Sequence, residues 1–288
     1  MSSRHGFFPD IAMEDYHGSS EVSSTNLRDA ESSVALGIFK QRNPPPQTQA
    51  MINGTAGHLC IQDMDTFLCT YVPAPQGIDR RTKAGKTEWS EFLDATADRT
   101  VLDHHIFEGC LRAHEQVWTH PEARLLLDHS EFEVSGYAEV EGLPVKARPD
   151  ADITGDLMDL LDIKTRQLGA ASRDAWLRDF INWKIYLQAG LQIEVWRALG
   201  RDVSAYWYLL VELDAPFQCN LLTLDDEWLA VASSEARGAC RRWKAWLDDR
   251  GTDSTGSGYP TGQAPLEVPA WLRRKLEDGD GDNGFAVV

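Results

Sequence analysis

The stretch VKARPDADITGDLMDLLDIKT, Val145–Thr165, decides the fold. Its first half alternates. Val145, Ala147, Pro149, Ala151 and Ile153 fall on one face of an extended segment, and Lys146, Arg148, Asp150 and Asp152 on the other. Thr154-Gly155-Asp156 is a turn signal. Leu157–Lys164 is then an apolar run ending in charge, the pattern of a mostly buried strand. Asp162 and Lys164 are two residues apart, so their side chains leave the same face. Two adjacent strands thus bring an acid each to nearly the same place, Asp150 on the first and Asp162 on the second. Asp152 shares a face with Asp150 and is its rival. Paired carboxylates beside a lysine, at the end of an apolar strand, are costly unless their charges are matched. A divalent cation would match them, and hard oxygen donors suit Mg2+ or Mn2+. Such an ion orients a water, lowers its pKa and neutralises charge growing on a phosphate. A lysine between acids stays protonated, which suits Lys164 to positioning and charge stabilisation rather than to the role of base.

Outward from this stretch, Phe132–Val140 also alternates and Ser204–Leu213 reads as a further strand. Residues 47–70 read as a helix carrying GTAGH (Gly54–His58), residues 71–87 as a loop, and residues 88–99 and 103–118 as helices. Arg173–Leu199 and Asp225–Leu247 have helical spacing. The order helix, three strands, helix, strand, helix predicts one α/β domain whose central mixed β-sheet is flanked by helices. Residues 1–50 read as a helical and loop extension of that domain, with N-cap residues at Ser23–Asn26 and a stiff break at Asn43–Pro46. Residues 51–250 form its core. Residues 251–288 read as a loop followed by an acidic tail, expected to be mobile from Glu277.

The 288 residues are 42% apolar and 25% charged, which excludes a disordered chain, a collagen or a coiled-coil rod. The longest uncharged apolar stretch, Ala205–Val211, is far short of the ~20 residues that span a bilayer. No signal peptide is expected. The five cysteines form no CxxC pair, which suits free thiols in a reducing cytoplasm. The net charge of −17 argues against unspecific binding to phosphates unless basic residues are concentrated. Arg80–Lys86 (RRTKAGK) is such a concentration, making Arg80, Arg81, Lys83 and Lys86 candidate phosphate ligands. Within it, AGKT lacks the first glycine of a phosphate-binding loop. His104, His105 and His114 do not form a zinc-protease motif.

Taken together, GTAGH, DRRTKAGKTEW (Asp79–Trp89), VKARPD, DIKT, a glutamine-bearing helix, and GYP and VPAW near the end resemble the PD-(D/E)XK nuclease superfamily. The similarity is most specific to the exonuclease VIII (RecE-type) nuclease domain, over most of residues 10–272. The resemblance implies a restriction-endonuclease-like core. It implies metal ligands at His58, Asp150 and Asp162, a further ligand in the Ile163 carbonyl, and a catalytic lysine at Lys164. Glu133 stands where such nucleases place another acid, with Glu131 as its rival. Gln188 matches the glutamine of the helix after the motif, while Gln192 stands where the family often has tyrosine. Arg148 and Arg166 flank the acids and are candidate DNA contacts. The implied activity is Mg2+-dependent 5′-to-3′ removal of one strand of linear double-stranded DNA, leaving 3′ single strands for recombination in a bacterial host. A ring-shaped homo-oligomer, a single-strand annealing recombinase as partner, and a phage or prophage origin are implied with it. A restriction-like or structure-specific endonuclease, a non-catalytic DNA-binding accessory protein and an acidic scaffold remain open at this point.

Overall fold

The computed structural model describes residues 4–155, 158–255, 259, 267–270 and 273–274. The acidic tail from Glu277 lies outside them, as does most of GYP and part of VPAW. Within Val145–Thr165, β7 (Ala151–Ile153) pairs antiparallel with β8 (Asp159–Arg166). β8 runs parallel to β9 (Tyr206–Glu212), which pairs antiparallel with β10 (Cys219–Thr223). On the other side β7 pairs antiparallel with β4 (Ser130–Phe132). The result is a mixed five-stranded sheet in the order β10-β9-β8-β7-β4.

Each face of this sheet carries its own core. Leu160, Tyr206, Tyr208 and Leu210 pack on one side, under α2 (Ser24–Asp29), α3 (Val34–Arg42), α9 (Arg173–Asn182), α10 (Tyr186–Ala198) and α11 (Asp226–Arg250). Leu161, Ile163, Leu209 and Val211 pack on the other, under α4 (Gln49–Gln62), α5 (Met64–Thr70), α7 (His104–Thr119) and α8 (Pro121–Leu127). A strand covered on two faces reads as a continuous apolar run, which is why β8 does not alternate. A second sheet, β1-β5-β6, is built from Gly6–Phe8, Ser135–Val140 and Leu143–Ala147. Among the described residues no helix is long and apolar enough to cross a membrane.

The sequence reading needs correction in three places. Val145–Ile153 is not one strand: β6 ends at Ala147, and the chain crosses to the other sheet through Arg148-Pro149-Asp150. Pro149 has no N–H to give a ladder, so the break falls there. The charged face is turned into the protein. Lys146 Nζ donates to the carbonyls of Tyr16 (2.6 Å) and Ser19 (3.0 Å), while Asp152 accepts from Arg201 and from Trp196 Nε1 (3.2 Å). Second, the two long helices are each divided. Asp63 ends α4 and caps α5, its side chain accepting from Thr66 N at 3.0 Å. Between α9 and α10, Lys184 takes a left-handed φ of 49°. Third, residues 71–87 are more than a loop. They contain β2 (Tyr71–Pro73), which pairs with β3 (Thr100–Leu102), and the first turn of α6 (Lys83–Ala95). That helix starts early because the Thr82 hydroxyl accepts from Gly85 N at 3.0 Å.

Gly190 sets the approach of α10 to α11. A Cβ there would stand 2.0 Å from the Ala232 carbonyl oxygen. Gly190→Ala should therefore push the helices apart and lower stability by about 3 kcal/mol. Urea unfolding of the purified variant measures it, and an unchanged midpoint would contradict the packing.

Candidate active site at the β7–β8 acid pair

The ladder register pairs Ala151 with Leu161, so one step further puts Asp150 opposite Asp162. Residues so placed have Cβ atoms about 5 Å apart. Asp150 sits just before the first residue of β7, where its side chain reaches across to β8. Its Oδ2 accepts from the Ile163 backbone N–H at 2.6 Å and its Oδ1 lies 3.3 Å from His58 Nδ1. Asp162 is fully buried. Its Oδ2 is 3.0 Å from Lys164 Nζ and its Oδ1 accepts from Gln192 Nε2 at 3.4 Å.

His58 is delivered by α4, and the glycines of GTAGH explain how. A Cβ on Gly57 would stand 2.5 Å from Thr165 Cγ2, and one on Gly54 would stand 3.5 Å from its Oγ1. Small residues on this stripe let α4 lie directly against the end of β8, one turn from the acids. Gln62, a turn later, donates to the Asp150 carbonyl at 3.0 Å and to Glu133 Oε1 at 3.1 Å. Glu133 has a left-handed φ of 57° in the connection after β4, and its N–H donates to the Asp150 carbonyl at 3.3 Å. This turn brings Glu133 beside Asp150. Glu131, its rival, instead pairs with Asp152 in the β4–β7 ladder.

The electrostatics follow from this crowding. Burial raises the Asp162 carboxyl above its ordinary pKa, with the Asp150 charge adding to it, and Lys164 offsets only part. Burial and the Asp150 charge likewise raise Glu133. For Asp150 burial pulls the same way, yet the charge and hydrogen bond of His58, Lys164 and the Ile163 N–H outweigh it and hold its pKa low. Burial lowers His58, but Asp150 more than compensates and its pKa is raised. The cluster can therefore hold a proton or a cation between buried acids, which is the chemistry that tames negative charge.

The residues singled out from sequence divide into three groups. His58, Glu133, Asp150, Asp162, Ile163 and Lys164 meet. Ile163 meets the others through its N–H, which binds Asp150. A second group is drawn into structural work. Arg148 has a side chain only 6% exposed; it donates to Ser135 Oγ and the Ile11 carbonyl, each at 2.8 Å, lies 3.8 Å from Glu133 and stacks on Tyr16. It ties down the N-terminal segment. Arg166 pairs with Asp179 and lies over the Trp176 ring. Gln188, half-buried on α10, makes no side-chain hydrogen bond among the described residues. The amide that reaches Asp162 is Gln192, one turn on, which the sequence marked only as standing in place of the family's tyrosine; four-residue spacing on the same helix face was the signal available. The third group is the basic segment. Arg81 is exposed and paired with Asp79, Lys83 and Lys86 are exposed on the first turns of α6, and Arg80 lies over the Trp89 ring at 4.6 Å. His114 is accounted for by the Cys60 carbonyl at 2.7 Å.

No family model and no curated protein matches the chain. Solved structures do match. One is a protein of Eubacterium rectale described as a candidate exonuclease. It superposes with a TM-score of 0.53 and 11% identity, over 92% of this chain and 93% of that one. At that identity the likeness is one of fold, and it extends over nearly the whole of both chains.

Proposed function

We propose that the chain is a metal-dependent exodeoxyribonuclease that resects one strand of linear double-stranded DNA. The observation that carries this reading is the meeting of Asp150, Asp162, Lys164 and His58 at one end of the β7–β8 hairpin. The exonuclease description of the structural neighbour supports it, and the resemblance of the motifs adds 5′-to-3′ polarity, 3′ single strands for recombination, a ring-shaped homo-oligomer, an annealing recombinase as partner and a phage source.

The donor set suits a hard divalent cation, Mg2+ or Mn2+: carboxylates facing one another across a ladder, each raising the other's cost of ionisation, with an imidazole alongside. Among the described residues no three acid, imidazole or thiol side chains converge as a ready-made ligand set. The reason is visible, since Asp150 spends its oxygens on His58 and Ile163 N–H. Asp150 and Asp162 would hold the ion, with His58, Glu133 and the Ile163 carbonyl as further ligands, once the His58–Asp150 contact opens. A bound ion supplies Lewis acidity toward the phosphate and a more acidic water. Lys164, 3.0 Å from Asp162, would set its ammonium where negative charge grows on the phosphate. Arg80, Arg81, Lys83 and Lys86 would hold the DNA backbone. Lys83 and Lys86 sit at the positive end of α6, where cations cost helix stability, a cost that phosphate binding would relieve.

Linear duplex labelled at either end should be shortened in Mg2+ and left intact in Ca2+, whose looser coordination fails to align the reacting groups. Covalently closed circular DNA should survive. Nicking of the circle would convert the reading to an endonuclease, and no cleavage of either substrate would overturn it.

A further inference from the structure

Gln192 is 2% exposed, so it cannot be a surface amide that touches DNA. Its three hydrogen-bond partners define a different task. Nε2 donates to Asp162 Oδ1 (3.4 Å) and to the Arg148 carbonyl (3.2 Å), and Oε1 accepts from the Tyr206 hydroxyl. The Arg148 carbonyl opens the Arg148-Pro149-Asp150 crossing, which belongs to neither strand. One amide therefore touches each of the two acid-bearing segments: the crossing that ends in Asp150 and the strand that carries Asp162.

An amide is ambiguous, since rotating it by half a turn exchanges its oxygen and nitrogen. Turned the wrong way, Gln192 would set its oxygen against the Asp162 carboxylate and the Arg148 carbonyl, three acceptors together in a buried space. Tyr206 removes the ambiguity. Its hydroxyl is a donor aimed at Oε1, and the residue is itself fully buried on β9, next to β8. With Lys164 on Oδ2 and Gln192 on Oδ1, both oxygens of Asp162 are directed.

We propose that Gln192, oriented by Tyr206, is a positioning residue that fixes Asp162 and the Asp150 crossing at the separation needed to grip a divalent cation. The proposal rests on the metal-dependent reading above. Neither Gln192 nor Tyr206 touches substrate; they act through the acids. Partners that orient metal ligands in this way typically change affinity 10- to 100-fold when removed.

The test uses Mn2+ binding to the full chain without DNA, read by electron paramagnetic resonance, beside kcat and KM on linear duplex. Tyr206→Phe removes only the hydroxyl and keeps the ring in its packing. Gln192→Met keeps most of the volume and removes both polar atoms. Each is expected to weaken Mn2+ binding roughly 10- to 100-fold and to lower kcat while leaving KM for DNA near the wild-type value. The double variant should lose less than the sum of the two single losses, because Tyr206 and Gln192 share one network around Asp162. If Gln192→Met does not fold, Tyr206→Phe carries the test by itself. Wild-type Mn2+ affinity and kcat in a folded Tyr206→Phe protein would overturn the proposal while leaving the nuclease reading intact. A wild-type chain that binds Mn2+ and spares DNA would overturn the nuclease reading alone. A wild-type chain that does not bind Mn2+ would overturn both.

Discussion

Lys164→Ala is expected to lower turnover on linear duplex DNA about a thousandfold, equivalent to roughly 4 kcal/mol of barrier. Asp162→Asn should do the same. The two should differ in stability. Asp162 is fully buried and burial raises its pKa, so at neutral pH its ionised form is a cost to the folded state that a neutral amide does not carry. The sign is that of an acid whose folded pKa lies above its unfolded one: the penalty is present above that window and vanishes as pH falls through it. Asp162→Asn should therefore melt at or above the wild-type temperature while losing activity, the trade expected of a catalytic acid. Lys164 is partly exposed, and its loss should move the melting temperature little. Digestion assays and thermal unfolding on the same preparations give both readings; near-wild-type digestion by either variant would remove the assignment.

Asp152→Ala is expected to produce the opposite pattern. Asp152 is buried, accepts from Arg201 through both oxygens and receives Trp196 Nε1 at 3.2 Å. Arg201 also donates to the Ile153 carbonyl at 3.2 Å. Removing the carboxylate strands a guanidinium and an indole N–H, a change that costs roughly 3–5 kcal/mol in buried pairs. The variant should unfold at much lower urea concentration, and its remaining folded fraction should digest DNA at the wild-type rate. A large loss of kcat in protein shown to be folded would mean that Asp152, not Asp150, serves the chemistry.

The contrast between Asp150 and Asp152 shows where sequence reading stops. Alternation places both on one face and says nothing of what that face meets. Their fates are decided by partners far along the chain: His58 for Asp150, Arg201 and Trp196 for Asp152. The same holds for Lys146 and Arg148, which look solvated in a strand pattern and are instead consumed by carbonyls of residues 11–19. By contrast β8, its apolar run and the Asp162–Lys164 spacing were legible, because they depend only on neighbours within one strand. The sheet and its flanking helices followed from the order of such segments. What escaped were the interruptions, at Pro149, Asp63 and Lys184, and the choice of Gln192 over Gln188, since a helix period does not say which turn faces a given acid.

β8 is also buried on both sides, by two separate cores. Sliding it by a single position would drive a carboxylate into one oily interior and turn Leu161 and Ile163 out of theirs. The alignment that sets the two acids face to face is thus enforced by hydrocarbon that takes no part in the chemistry. It follows that the acids can be neutralised one at a time without the backbone drifting, so each can be interrogated in an otherwise unaltered frame.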